Sequence, residues 1–132
     1  MKVKCLANTG KGFSEYTMTH MGCSVNTKMP LCINETYTVY GQMLYRGILK
    51  YLIKGTTENL PSWYPAEIFE VKDSLLPFDW YFKYKRNDEI SAIWGFQELA
   101  NDEQYLYDLI EREDEAIRIF LKRKKEIDEF SE

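Results

Sequence analysis

The residues with the most versatile chemistry in this chain are one histidine and three cysteines. His20 lies three residues before Cys23, and Cys5 and Cys32 lie further off on either side. A Cys3His set can hold zinc, and a Cys23–His20 pair can form a nucleophile with its base. Structural zinc sites bring in their ligands as closely spaced pairs, and the chain has no CxxC. A Cys–His nucleophile needs hydrogen-bond contact and an oxyanion site as well, neither of which the spacing supplies. An odd number of cysteines at unrelated spacings predicts reduced, inert thiols in a cytoplasmic location. The second candidate is the acidic group Glu111, Glu113, Asp114 and Glu115. A helical di-metal carboxylate site calls for a His three residues after a Glu, and this segment has no His. Acids lead the segment, Lys122-Arg123-Lys124-Lys125 close it, and Asp114 and Arg118 stand four apart, which predicts a solvated helix face matched to the helix dipole. With no Gly-rich phosphate loop, HExxH or GxSxG present, no catalytic residue, metal or cofactor is expected.

Aromatic side chains are the remaining candidates, and their chemistry is that of recognition. The 132 residues include ten Tyr, seven Phe and three Trp. A domain of this size cannot bury them all, and Tyr and Trp left at a surface dominate binding hot spots. The cluster that stands out is Trp63 and Tyr64 with neighbouring Tyr40 and Tyr51, and these four are the expected partner-binding residues.

The elements that must position them follow from hydrophobic period and turn chemistry. Residues 2–7 alternate as a first strand, and residues 8–34 carry Gly10, Gly12, Gly22 and Pro30 without a sustained period, which predicts a long, ordered excursion loop. Residues 36–43 and 48–54 read as two strands of a hairpin turned at Arg46-Gly47. A polar connection from Gly55 to Pro61 leads through Ser62-Trp63-Tyr64-Pro65-Ala66 to a short strand at 67–71. A second hairpin is expected from 80–85 and 90–94, with Trp80, Phe82 and Tyr84 on one face. Asn101 and Gln104 have the order of a capping box, and from 102 to about 130 apolar residues recur at steps of three and four, with a break near Glu113. One domain over 1–132 is expected, mainly β over 1–100 and helical over 101–132.

Trp63, Tyr64, Pro65 and Phe69, set after a central hairpin and a long first excursion, resemble the corresponding run of SH3-like barrels over roughly residues 2–72. That resemblance implies an α+β fold: a small SH3-like β-barrel of about five short antiparallel strands, followed here by one or two C-terminal amphipathic helices. The chain is also similar to a group of small bacterial proteins with no assigned activity that share the segments Tyr37 to Gly41 and Pro61 to Ala66.

Charge narrows the function. A formal net charge of -4 repels nucleic acid and anionic lipid, and no run approaches a membrane span. The N-terminus lacks an apolar stretch of signal-peptide length, so the Asn34-Glu35-Thr36 sequon reads as chance. The expected function is a non-enzymatic protein-interaction module binding a protein partner through the aromatic surface, with an immunity or anti-defence role as one form of it and a homodimer as another use of the same faces. The alternative is a single-stranded nucleic-acid-binding barrel that stacks bases on the aromatics beside a basic track of Lys50, Lys54, Lys83 and Lys85.

Overall fold

The computed structural model describes residues 1–55 and 60–131. Residues 56–59 of the expected polar connection lie outside the described residues. The architecture is α+β: among the described residues, eight strands in two antiparallel sheets, with helices packed against the larger sheet.

The first strand, β1 (Lys2–Cys5), forms where expected, and its alternation buries Val3 and Cys5 completely. The excursion after it is ordered, and it holds regular elements that its lack of period did not predict. A 3-10 turn at Gly10–Gly12 precedes a helix, α1 (Glu15–Met21), whose cap Ser14 accepts the Thr17 N–H and whose end is set by Gly22 at φ 67°. Two turns of helix are too short to print a 3.6-residue period on the sequence.

The expected strand over 36–43 divides in two. β2 (Thr36–Thr38) pairs with β1, whereas β3 (Gly41–Tyr45) pairs with β4 (Ile48–Lys54) and with β8 (Ile90–Gly95). The change of sheet occurs between neighbours: Val39 donates its N–H to the Met1 carbonyl at 3.0 Å, and Tyr40 donates to the Leu52 carbonyl at 2.9 Å. The turn at Arg46-Gly47 has positive φ at both residues, 49° and 79°, as a two-residue hairpin loop requires. Ser62 and its neighbours, expected only as a lead-in, form β5 (Pro61–Pro65) at one edge of the five-stranded sheet. A proline at each end is compatible with an edge because one side of the strand needs no N–H. A 3-10 turn at Ala66–Ile68 then leads to β6 (Phe69–Asp73), which closes the three-stranded sheet in the order β2-β1-β6. β7 (Tyr81–Tyr84) and β8 form the second hairpin, giving the larger sheet the order β5-β4-β3-β8-β7.

That larger sheet has a core on each face. Tyr51, Ile53 and Tyr64 point toward the three-stranded sheet and pack with Val3, Cys5, Ile68 and Phe69. Met43, Leu52 and Ile93, of opposite parity, pack with Leu99, Leu106, Leu109 and Phe120 from the helices α2 (Gln97–Asn101), α3 (Glu103–Ile110) and α4 (Asp114–Phe130). The helical segment is therefore docked rather than free. Its seating depends on two glycines that face each other across β3 and β8: a Cβ on Gly41 or on Gly95 would collide with Leu99 Cδ2. Asp102, and not Asn101, caps α3 by accepting the Tyr105 N–H at 3.1 Å, because Asn101 is already the last residue of α2. The break near Glu113 separates α3 from α4, with Arg112 at φ 59° in the link.

Candidate functional site

The four expected binding residues do not lie together on a surface. Tyr40, Tyr51 and Tyr64 are each only 5% exposed, so all three are corrected from surface to core. The reason is parity within the sheet. Tyr51 and Tyr64 are paired across β4 and β5 and share the face covered by the three-stranded sheet, where Tyr51 meets Phe69 at 5.9 Å. Tyr40 sits at the crossing between sheets, edge-on to Phe120 at 5.4 Å, and its hydroxyl donates to Asp128 Oδ1 at 2.7 Å. Burial first, and the neighbouring Asp128 carboxylate second, push its phenol well above the ordinary tyrosine range. Burial alone raises the phenol of Tyr51.

Trp63 has the opposite parity and goes elsewhere. It is half-buried on the helix-facing side and lines a groove of about 350 Å3 between β3, β4, β5 and the end of α3. The walls are apolar, formed by Met43, Leu52, Ile90, Leu109 and Ile110, with the rings of Tyr45 and Tyr107. The polar groups among them are mostly donors. Lys50 is half-buried there, its ammonium 4.6 Å from the centre of the Tyr45 ring, and burial lowers its pKa from the ordinary lysine value. No carboxylate pairs with Lys50 among the described residues. Trp63 Nε1 is buried without a hydrogen-bond partner among the described residues. At the rim Arg112 donates to Ser62 Oγ at 3.0 Å. Among the described lining residues the one carboxylate, Glu89, is bound to Arg46 at 2.5 Å.

A second surface lies at the opposite edge of the sheet. β7 has no strand on its outer side among the described residues, and all four of its residues are exposed. Phe82 is 54% and Tyr84 64% exposed, on the same sheet face as Trp94, whose ring centre lies 4.8 Å from that of Phe82. Lys85 donates its N–H to the Ser91 carbonyl, and the alternation of an antiparallel ladder then turns the N–H and C=O groups of Phe82 and Tyr84 away from β8, toward the open edge. The alternation of the aromatics marks this segment as a strand in the sequence; its being an edge shows only in the fold.

The residues of versatile chemistry are engaged separately. His20 stacks on Tyr16 at 3.9 Å, with Nδ1 2.9 Å from the Tyr16 carbonyl. The Cys23 thiol donates to the Met21 carbonyl, and the Cys5 thiol donates to the Ala7 carbonyl. Among the described residues no group of three His, Cys, Asp or Glu side chains is placed to hold a metal ion. On α4, Arg118 pairs with Glu115 rather than with the expected Asp114, and this pairing lowers the Glu115 pKa. Arg123 of the basic run forms a two-pronged pair with Glu98 at 2.9 Å, tying α4 to α2 and lowering the Glu98 pKa. The lysines expected to form a basic track are split, with Lys50 and Lys54 on β4 and Lys83 on β7, separated by β3 and β8. Lys85, just beyond β7, is paired with Glu103 at 2.7 Å. No helix among the described residues is long and apolar enough to cross a membrane. Comparison with protein-family models, curated proteins and solved structures gives no match.

Proposed function

We propose that the chain is a non-enzymatic interaction module whose protein partner adds an extended segment to the open edge of β7. The observation that carries this reading is an edge strand with no outer neighbour among the described residues, in which three of four residues are aromatic and all four are exposed. Unpaired backbone donors and acceptors supply affinity for another strand, and alternate side chains supply selectivity. Phe82, Tyr84 and Trp94 offer one face of that strand an aromatic platform, while Lys83 and Lys85 line the other with Glu103 between them. A segment carrying an acidic residue opposite Lys83 complements this edge better than a second copy of β7, which brings its own lysine. The SH3-like arrangement of residues 2–72 belongs to the same proposal; the long excursion after β1, the division of residues 36–45 between two sheets and the 3-10 turn before β6 support it.

The test is capture of a partner, its identification, and titration with purified components. Binding should be lost with Phe82→Lys and Tyr84→Lys and retained with Trp63→Ala, whose ring lies at the other end of the sheet. A partner bound equally by wild type and both lysine variants would overturn the reading. The nucleic-acid alternative loses its continuous basic track through the placement of Lys50 and Lys83 on separate strands.

A further inference from the structure

We propose that the groove between β3–β5 and α3 binds a small carboxylic acid with an apolar, preferably aromatic, body. This site is separate from the β7 edge, and its argument does not depend on a protein partner.

Volume comes first. A space of about 350 Å3 is at the lower end of the range for small-molecule pockets, which are apolar with a few convergent polar groups. A groove lined by tyrosine, tryptophan and leucine accepts a planar or branched hydrocarbon body. The head group is set by the donors. Lys50 contributes an ammonium with three N–H groups, and the Tyr45 ring beneath it accepts by its π face only. Trp63 contributes its ring to the wall, its Nε1 being enclosed by protein. Glu89 does not neutralise Lys50, since Arg46 holds it at the turn end of the groove. The groove thus presents a half-buried cation on apolar walls, and its complement is an anionic acceptor on an apolar frame. A carboxylate matches the half-buried Lys50 ammonium charge for charge, because the Arg112 guanidinium at the rim already donates to Ser62 Oγ.

Two probes of equal shape test the assignment: 3-phenylpropionate and its neutral amide. Each is titrated into the full chain, followed by the indole N–H resonance of Trp63, assigned by its disappearance in Trp63→Phe. The acid should bind about tenfold more tightly than the amide, the ordinary gain when an acceptor becomes charged, and should move the Trp63 resonance. Lys50→Met, which keeps the side-chain volume, should abolish the preference for the acid and leave the weaker amide binding in place. Equal affinity for acid and amide, a Trp63 resonance unmoved by millimolar acid, or an undiminished preference in Lys50→Met would each overturn the proposal. Tyr84→Lys, at the other edge of the sheet, should leave the acid titration unchanged, so that failure here and failure of the edge-binding reading are told apart.

Discussion

Two aromatic clusters sit on the same five-stranded sheet and meet opposite fates. At β4 and β5, Tyr51 and Tyr64 are walled in by β1, β6 and the 3-10 turn at Ala66–Ile68. At β7, Phe82 and Tyr84 stand in solvent although they belong to an equally aromatic strand. Composition does not separate the two. What separates them is whether the second sheet reaches over that part of the first: it covers the β4–β5 end, and β7 is the strand at the opposite edge in the sheet order. Aromatic density therefore marks strands, and sheet order decides which strands become core and which are left to bind.

The largest effect that would break this contrast is at Tyr64. Tyr64→Ala should destabilise the fold by about 3–5 kcal/mol, the range for truncating a buried ring, measured by urea unfolding. A cost near that of a surface substitution would mean that the two clusters are not distinct.

The helix-covered face can be probed at its closest approach. Gly95→Ala places a Cβ only 2.6 Å from Leu99 Cδ2, and Leu99 is itself fully enclosed. Overpacking of this kind costs about 1–3 kcal/mol. Leu99→Ala in the same chain should return part of that loss, since the double variant opens the space the single one crowds; strictly additive losses would show that α2 is held by other contacts.

Tyr40 sharpens the contrast through pH. Its folded pKa is raised by burial and by Asp128, so between the unfolded value and the folded one the native state holds a proton that the unfolded chain releases. Its contribution to stability is complete below the unfolded tyrosine pKa and is lost as pH rises toward the folded one. Each unit of difference is worth about 1.4 kcal/mol. Tyr40→Phe should flatten this alkaline decline while lowering neutral stability by about 1–2 kcal/mol for the lost hydrogen bond to a carboxylate. Asp128 keeps Lys124 as a partner at 2.6 Å, which limits the loss. An unchanged alkaline slope would place the titration elsewhere.

How far the sequence reaches is visible in the same residues. Both hairpins follow from local alternation and turn chemistry, and β4, β7 and β8 lie within a residue or two of their expected positions. The docking of α4 follows less directly: the stripe of Ala116, Phe120 and Ile127 demands a surface to cover but does not say which. The division of residues 36–45 between two sheets is not local at all, because Val39 and Tyr40 are joined to partners 38 and 12 residues away. The groove escapes a sequence reading for a related reason. Trp63 and Tyr64 are neighbours in sequence, and only the covering of both faces of β5 shows that one enters a core and the other a groove. Lys50 carries a signal, a lone charge among Ile48, Leu49, Tyr51, Leu52 and Ile53, which marks a cation held at an apolar face.

The smallest effect is the most direct check on the open edge. Tyr84→Ser should change stability by no more than about 0.5 kcal/mol, as for a surface position without special contacts. Tyr84 is the cleaner probe than Phe82, since Phe82 packs on Trp94 and its removal forfeits that ring contact as well. If Tyr84→Ser instead costs as much as Tyr64→Ala, the ring is covered in solution, and the cover must come from another molecule because β7 has no neighbour on its outer side among the described residues. Dilution then distinguishes the two cases. A cost that falls as the protein is diluted identifies a second copy on the edge, whereas a small cost at every concentration leaves the edge free for a different partner.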